Sequence, residues 1–294
     1  MSYNKEKIMA LTGVNALNLE ANELSDLFHK VMKEPMHGLC FSPYVENQKP
    51  GDQLTENQIR RRIEIIQPHT KWVRSFSCTE GNELIPGIAH EYGIKTLVGA
   101  WLGKDKEVNE KEINSLINLA EAGHVDIAVV GNEVMYRGDL TEEELLGYIQ
   151  RVKSALPNLK VGYVDAYYEF EFRTKITEAC DVILANCYPF WEGCSIEYSL
   201  LYMKDMYARA QKAAQGKKVI ITETGWPNKG QKFYGANPSN QNALVYFLNT
   251  QQWSKEEDID IFYFSSFDES WKADAEGDVG PYWGLWDTNE KLKY

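Results

Sequence analysis

Eight short, nearly continuous apolar runs set the strongest limit on what this chain can fold into. They lie at 38–44 (GLCFSPY), 72–78 (WVRSFSC), 95–102 (KTLVGAWL), 126–133 (DIAVVGNE), 160–166 (KVGYVDA), 182–189 (VILANCYP), 219–227 (VIITETGWP) and 260–269 (DIFYFSSFDE). Most lack the alternation of a half-exposed strand and read as strands buried on both faces of a parallel sheet. Between them, apolar residues recur at spacings of three and four, the helical period. Thr55–Glu56 opens such a segment through Ile59, Ile63 and Ile66, and Asn109–Glu110 precedes Ile113, Leu116, Ile117 and Leu119. Thr141 to Glu144 reads as a capping box ahead of Leu145, Leu146, Ile149 and Val152. Ser195 precedes Leu200, Leu201 and Met203, and Pro238–Ser239 precedes Leu244, Val245 and Leu248. Eight strands alternating with helices predict an α/β chain folded as a (β/α)8 TIM barrel, whose usual size is about 250 residues. An open doubly wound sheet is the alternative. It would place a glycine-rich phosphate loop after the first strand, where Ser42-Pro43-Tyr44-Val45-Glu46 stands instead.

The barrel is expected to span residues 38–294, with residues 1–37 as an N-terminal extension. Leu24, Leu27, Phe28, Val31 and Met32 predict one amphipathic helix over 20–36, read as a structural cap on the bottom of the barrel. The opening Met1-Ser2-Tyr3-Asn4-Lys5-Glu6-Lys7 is followed by no apolar stretch of 7–15 residues, so no secretory signal is expected. As given, the chain reads as cytoplasmic; as a processed form, it reads as exported.

A net charge of −12 argues against nucleic acid and against an anionic membrane surface, both of which need a basic footprint. No run of 18 apolar residues is present, so no spanning helix and no membrane insertion is expected. Arg60-Arg61-Arg62, among Glu56 and Glu64, reads as a solvated helix face. Five cysteines, Cys40, Cys78, Cys180, Cys187 and Cys194, make an odd number without a C-x-x-C pair and read as free thiols, mostly in the core. The five histidines show no metal spacing, and neither a nucleophile elbow nor a phosphate loop occurs. No metal and no cofactor is therefore expected, and no protein partner is indicated.

In a barrel the chemistry sits at the C-terminal ends of the strands. Two runs end there in a carboxylate: Gly131-Asn132-Glu133 closes the fourth, and Thr222-Glu223-Thr224-Gly225-Trp226-Pro227 closes the seventh. Taken singly, each glutamate could belong to a rim ion pair. On the fourth and seventh strands, however, the two can face each other across a ligand. Facing carboxylates, one protonated and one ionised, are what glycoside hydrolysis needs.

These two motifs, in these strands, resemble glycoside hydrolase family 17, the β-1,3-glucanase family. The likeness runs from Gly38 to about Trp286. It includes Cys187-Tyr188-Pro189-Phe190, Phe267-Asp268-Glu269-Ser270-Trp271-Lys272 and Gly284-Leu285-Trp286. The chain looks like a bacterial-type single-domain member. The resemblance implies retaining cleavage of β-1,3-glucosidic bonds in a laminarin-like β-glucan. Glu133 would be the general acid and then the base, and Glu223 the nucleophile. Asn132 would bind the sugar hydroxyl beside the reacting carbon, and Tyr188 would orient Glu223. Glu269, Lys272 and Glu276 match charged positions near the family's cleft, where Lys272 would restrain a carboxylate; a rim ion-pair cluster is the plainer alternative. The extension ahead of the first strand departs from the secreted members.

Sugar C–H faces stack on aromatic rings, so Tyr44, Trp101, Phe190, Trp191, Trp226, Trp271 and Trp283, all near strand ends, are candidate platforms. Trp191 and Trp283 stand out because they sit in polar, glycine-containing loops. Core packing is the competing role for each. Arg74, on the second strand, is expected to hold a mouth carboxylate rather than to touch a sugar. Three rivals stand beside the hydrolase: a glucanosyltransferase using the same two glutamates, a catalytically silent carbohydrate-binding barrel, and a barrel acting on phosphorylated metabolites. Retention of both glutamates argues against the second, and Gly225-Trp226-Pro227, a poor phosphate cradle, argues against the third.

Overall fold

The computed structural model describes Ala16 and residues 19–294; the Met1–Lys7 stretch lies outside the described residues. Eight parallel strands close into a barrel in chain order: Met36–Cys40 (β1), Thr70–Ser75 (β2), Lys95–Ala100 (β3), Ile127–Asn132 (β4), Lys160–Ala166 (β5), Val182–Asn186 (β6), Val219–Thr224 (β7) and Ile261–Tyr263 (β8). Gly38 opposite Phe262 and Leu39 opposite Tyr263 make the closing seam between β1 and β8. Val182, Ile183, Leu184 and Ala185 of β6 are all buried, the two-sided burial that unbroken apolar runs require. The strands are shorter than several of the runs.

Around the strands run the helices Ala21–Val31 (α1), Glu56–Ile66 (α2), Leu84–Glu91 (α3), Lys106–Glu121 (α4), Val134–Arg137 (α5), Glu142–Ala155 (α6), Glu169–Phe172 (α7), Thr174–Ala179 (α8), Ser199–Ala213 (α9), Asn240–Glu257 (α10) and Ala273–Glu276 (α11). Thr55 and Thr141 form the capping boxes of α2 and α6, and Ser239 caps α10. The fourth helix starts earlier than Asn109. Asp105 is its cap, accepting from the backbone of Glu107 and Val108. Asn109 is buried, and its side chain bonds both backbone groups of Gly103. Ser195 is followed by a 3-10 turn at Ile196–Tyr198 before α9 begins.

The amphipathic helix is present but shorter than expected. Pro35 explains the early stop, since the residue before a proline is pushed out of helical geometry; the chain then enters β1 at Met36, two residues before the expected barrel boundary. Nor does α1 sit beneath the barrel. Phe28 packs edge-on to Phe247 of α10 and to Tyr294, and Phe247 in turn meets Tyr263 of β8. Among the described residues no full-length helix follows β8, and α1 fills that place in the outer wall. Phe28 is fully buried, so Phe28→Ala is expected to cost about 3–5 kcal/mol of stability, read as a lower urea midpoint with an unchanged slope.

The triple arginine divides. Arg60 pairs with Glu56 and Glu91, and Arg61 with Glu290, on the surface. Arg62 is not solvated at all. It is fully buried, donates to the carbonyls of Ser42 and Tyr44, lies 4.4 Å over the Phe267 ring and reaches Glu290. It thereby ties the loop after β1 to the segment after β8. All five cysteines are free, four of them buried. No helix among the described residues is long and apolar enough to cross a membrane.

Candidate active site

Two irregularities in the strand register build the site. The β4–β5 pairing shifts between Val129 and Asn132, and the β6–β7 pairing shifts between Ala185 and Asn186. Strict alternation would send Thr222 and Glu223 to opposite faces. The shift brings both to Asn186: the Thr222 hydroxyl donates to its Oδ1 at 2.9 Å, and its Nδ2 donates to Glu223 Oε1 at 3.0 Å. On β4, Gly131 has φ +88° and Glu133 φ +51°. A Cβ on Gly131 would lie 2.8 Å from Val134 Cγ2, so only glycine lets the chain turn sharply enough to lift Glu133 into the mouth. Gly225 serves β7 similarly, since a Cβ there would meet the Phe264 carbonyl at 2.1 Å.

Asn186 Nδ2 also donates to Glu133 Oε1 at 2.8 Å. Two carboxylate oxygens sharing one donor nitrogen lie no farther apart than two hydrogen bonds laid end to end. That spacing suits the retaining arrangement, with carboxyl groups about 5–5.5 Å apart, rather than the inverting one at about 6.5–9.5 Å.

The surroundings of the two carboxylates differ. Glu223 accepts from Arg74 Nη1 at 2.5 Å, Asn186 at 3.0 Å and the Tyr188 hydroxyl at 2.8 Å. Three donors, one of them cationic, fix the position of its carboxylate. Among the described residues, Glu133 has only the Asn186 amide as a side-chain donor. Burial, joined by the charges of Glu223 and Asp165, raises its pKa to about 7, against the pull of Asn186 and Arg74. Glu133 thus keeps its proton near neutrality, as the acid of an acid-assisted displacement must.

Arg74 and Tyr188 are where the sequence put them. The second Arg74 nitrogen holds Asn132 Oδ1 at 2.6 Å, which leaves the Asn132 amide nitrogen as the group available to a ligand. Glu269, Lys272 and Glu276 also assemble. Lys272 Nζ pairs with Glu269 at 2.8 Å and lies 4.1 Å over the Phe264 ring. Burial opposes its charge, but Glu269, Glu276 and Glu223 outweigh it and raise its pKa. Burial likewise raises Glu276 to about 7, against the pull of Lys272. This is a buried cluster facing Glu223, not a solvated rim.

The aromatic candidates separate. Phe190 and Trp226 are fully buried, so neither is a ligand platform. Phe190 packs edge-on against Trp191, Trp226 and Trp283, and the Trp226 indole donates to the Asn237 carbonyl. Trp283 is 2% exposed and is wall rather than open platform, packed against Tyr188, Trp191 and Phe264. Trp191 is half-buried at the rim and remains the best platform. Tyr44 is buried edge-on to Trp271, its hydroxyl accepting from Asn82. Trp101 is 39% exposed beneath the Arg137 guanidinium. Its loop is fastened by the buried Glu112, which accepts from the backbone of Cys78 and Trp101 and from the hydroxyls of Ser77 and Thr79.

Sequence reasoning passed over Asn186, Phe76 and Phe264. Asn186 carried the same signal as Asn132, a polar residue ending an apolar strand. Phe76 lies under Arg74 at 4.3 Å and edge-on to Phe264, and nothing in its local sequence set it apart.

A family model described as the BtgE/BtgC glycoside hydrolase domain matches residues 38–284. A glucan 1,3-beta-glucosidase of Arthroderma benhamiae is 28% identical over 270 residues, 84% of this chain and 87% of that protein. A glucan 1,3-beta-glucosidase of Saccharomyces cerevisiae is 25% identical over 285 residues, 87% of this chain and 90% of that one. Among solved structures, a glycoside hydrolase family 17 beta-1,3-glucanosyltransferase from Rhizomucor miehei is 29% identical. It superposes with a TM-score of 0.79 over 89% of this chain and 96% of that chain. An endo-laminarinase from Formosa Hel1_33_131, at 18% identity and a TM-score of 0.75 over 90% and 87%, shares the fold. The chain is therefore a glycoside hydrolase and belongs to the BtgE/BtgC glycoside hydrolase domain family.

Proposed function

We propose that the chain is a member of glycoside hydrolase family 17 that cleaves β-1,3-glucosidic bonds of β-glucan with retention of configuration. The observation that carries the reading is the Asn186 amide held between the two carboxylates. In the first step, Glu223 attacks the anomeric carbon while Glu133 gives its proton to the departing glycosidic oxygen. The C–O bond breaks, and a glycosyl ester forms on Glu223. In the second step, Glu133, now ionised, takes a proton from water as the water oxygen displaces Glu223. Arg74 and Tyr188 hold the nucleophile, and the free amide of Asn132 meets the neighbouring hydroxyl. Among the described residues, Glu269 Oε1 and the indole nitrogen of Trp271 are buried without hydrogen-bond partners. Buried polar atoms left unpaired are costly, and a polyhydroxylated ring beside Glu223 offers them partners.

A second reading keeps the chemistry and replaces water by another glucan chain. The Rhizomucor miehei glucanosyltransferase favours it. A time course on a linear β-1,3-glucan, resolved by chain length, separates the two. Shortening ladders or glucose are the expected result. Products longer than the substrate would move the assignment to transfer. An unchanged substrate would overturn the glucan assignment.

A further inference from the structure

The turn that carries Glu133 has no cap of its own. The first residue ahead of a helix usually caps it with a side-chain oxygen, but here that residue is Glu133, whose carboxyl faces the mouth. The open backbone donors of α5 are instead taken by the neighbouring strand. Met135 N donates to the Tyr163 hydroxyl at 2.9 Å, and Tyr136 N reaches Asp165 Oδ2 at 3.4 Å. The Tyr163 hydroxyl donates in turn to Asp165 Oδ2, and Asp165 Oδ1 accepts from Ala166 N at 2.8 Å. Tyr163 and Asp165 stand two apart on β5, so the strand's period places both on one face, beneath α5. Asp165 is fully buried and, among the described residues, pairs with no cation. A hydrophobic residue would serve a merely structural role there without the cost of burying a carboxyl.

We propose that Asp165 is a positioning residue for Glu133, acting through Tyr163 and the backbone of α5. The inference rests on the reading of Glu133 as acid and base. Glu133 is faced by Glu223 from β7 and Asp165 from β5, which favour its protonated form, and by Arg74 from β2, which opposes it. Asp165 itself is raised to about 6, chiefly by burial and also by Glu169, while Tyr163 and the backbone of Ala166 and Tyr136 act the other way. Arg137 of α5 faces Tyr163 and is itself paired with Asp139 at 2.7 Å. Removing the Asp165 charge makes ionisation of Glu133 easier, so the alkaline limb of activity moves to lower pH.

The test compares kcat/KM on a β-1,3-gluco-oligosaccharide, whose leaving group needs a proton, with that on a 2,4-dinitrophenyl β-laminaribioside, whose leaving group does not. Asp165→Asn is expected to lose about 10–100-fold on the oligosaccharide, as for a catalytic group displaced by a fraction of an ångström. Its alkaline limb shifts downward, and the aryl glycoside is cleaved as by the wild type. Tyr163→Phe, which keeps the charge and breaks the relay to Met135, is expected to show the same leaving-group selectivity, and it decides the matter if Asp165→Asn does not fold. Equal losses on both substrates, or an unmoved limb in folded Asp165→Asn, would overturn the proposal. Glu133→Gln is run alongside. If it shows no leaving-group selectivity, the acid/base reading itself falls, and that failure is distinct from failure of the Asp165 inference.

Discussion

Glu223→Gln is expected to lower kcat on β-1,3-glucan by about 10⁴-fold or more, the scale seen when a covalent nucleophile is removed. An amide cannot form the glycosyl ester. Its oxygen can still accept from Arg74 and Asn186 and its amide nitrogen can donate to the Tyr188 hydroxyl, so the pocket keeps its shape and KM changes little. Glu223 is 7% exposed and Arg74 2%, so breaking their ion pair leaves a buried cation partly unmatched. The Thr222 carbonyl, 3.0 Å from the same arginine nitrogen, limits that damage. Thermal unfolding monitored beside the kinetics shows whether the fold survives; loss of activity with an intact transition is the expected pair of results.

Glu133→Gln is the second large effect, and its signature differs. The general acid contributes about 10²–10⁴-fold, and only where the leaving group needs a proton. Cleavage of the glucan is therefore expected to fall by that factor, while glycosylation by an activated aryl glycoside continues and the glycosyl enzyme accumulates. A small anion such as azide, which needs no general base, is expected to restore turnover by attacking the intermediate. In the wild type the sign of the pH dependence follows from the raised pKa. The protonated form is the competent acid, so activity on glucan is present below about pH 7 and lost as pH rises through that value. Equal damage on both substrate types would place the acid elsewhere.

The barrel was legible because parallel strands buried on both faces leave unbroken apolar runs. The helices that stayed hidden have physical reasons. Helix α3 contains Pro86 and Gly87, which disguise a helical segment of eight residues, and α7 and α8 are two short turns broken at Arg173. Glu133 and Glu223 were readable as charges closing apolar strands. The Arg74 contact with Glu223 was foreseen as a carboxylate clasp. Asn186 was not foreseen although, like Asn132, it ends an apolar strand; that it reaches both glutamates depends on the register shift between β6 and β7, which leaves no mark in the sequence. Phe190, Trp226 and Trp283 take the core-packing role weighed against that of platform, a choice the sequence left open for a related reason. An aromatic near a strand end has the same local sequence whether it lines the cleft or supports it from behind, and only packing against other rings decides. Arg62 shows the converse: a charge within a triple arginine became a buried clamp because the carbonyls of Ser42 and Tyr44 needed a donor.

Trapping the intermediate tests the central claim most directly. A 2-deoxy-2-fluoro-laminaribioside with an activated leaving group slows both steps and the second more than the entry step, so a covalent enzyme should build up. Mass spectrometry of a protease digest is expected to find one glycosyl group per chain, attached to Glu223 in the peptide containing Thr222-Glu223-Thr224. An adduct on another carboxylate, or none from a protein that turns over the parent glucan with inversion, would contradict the assignment of Glu223 and the retaining mechanism together.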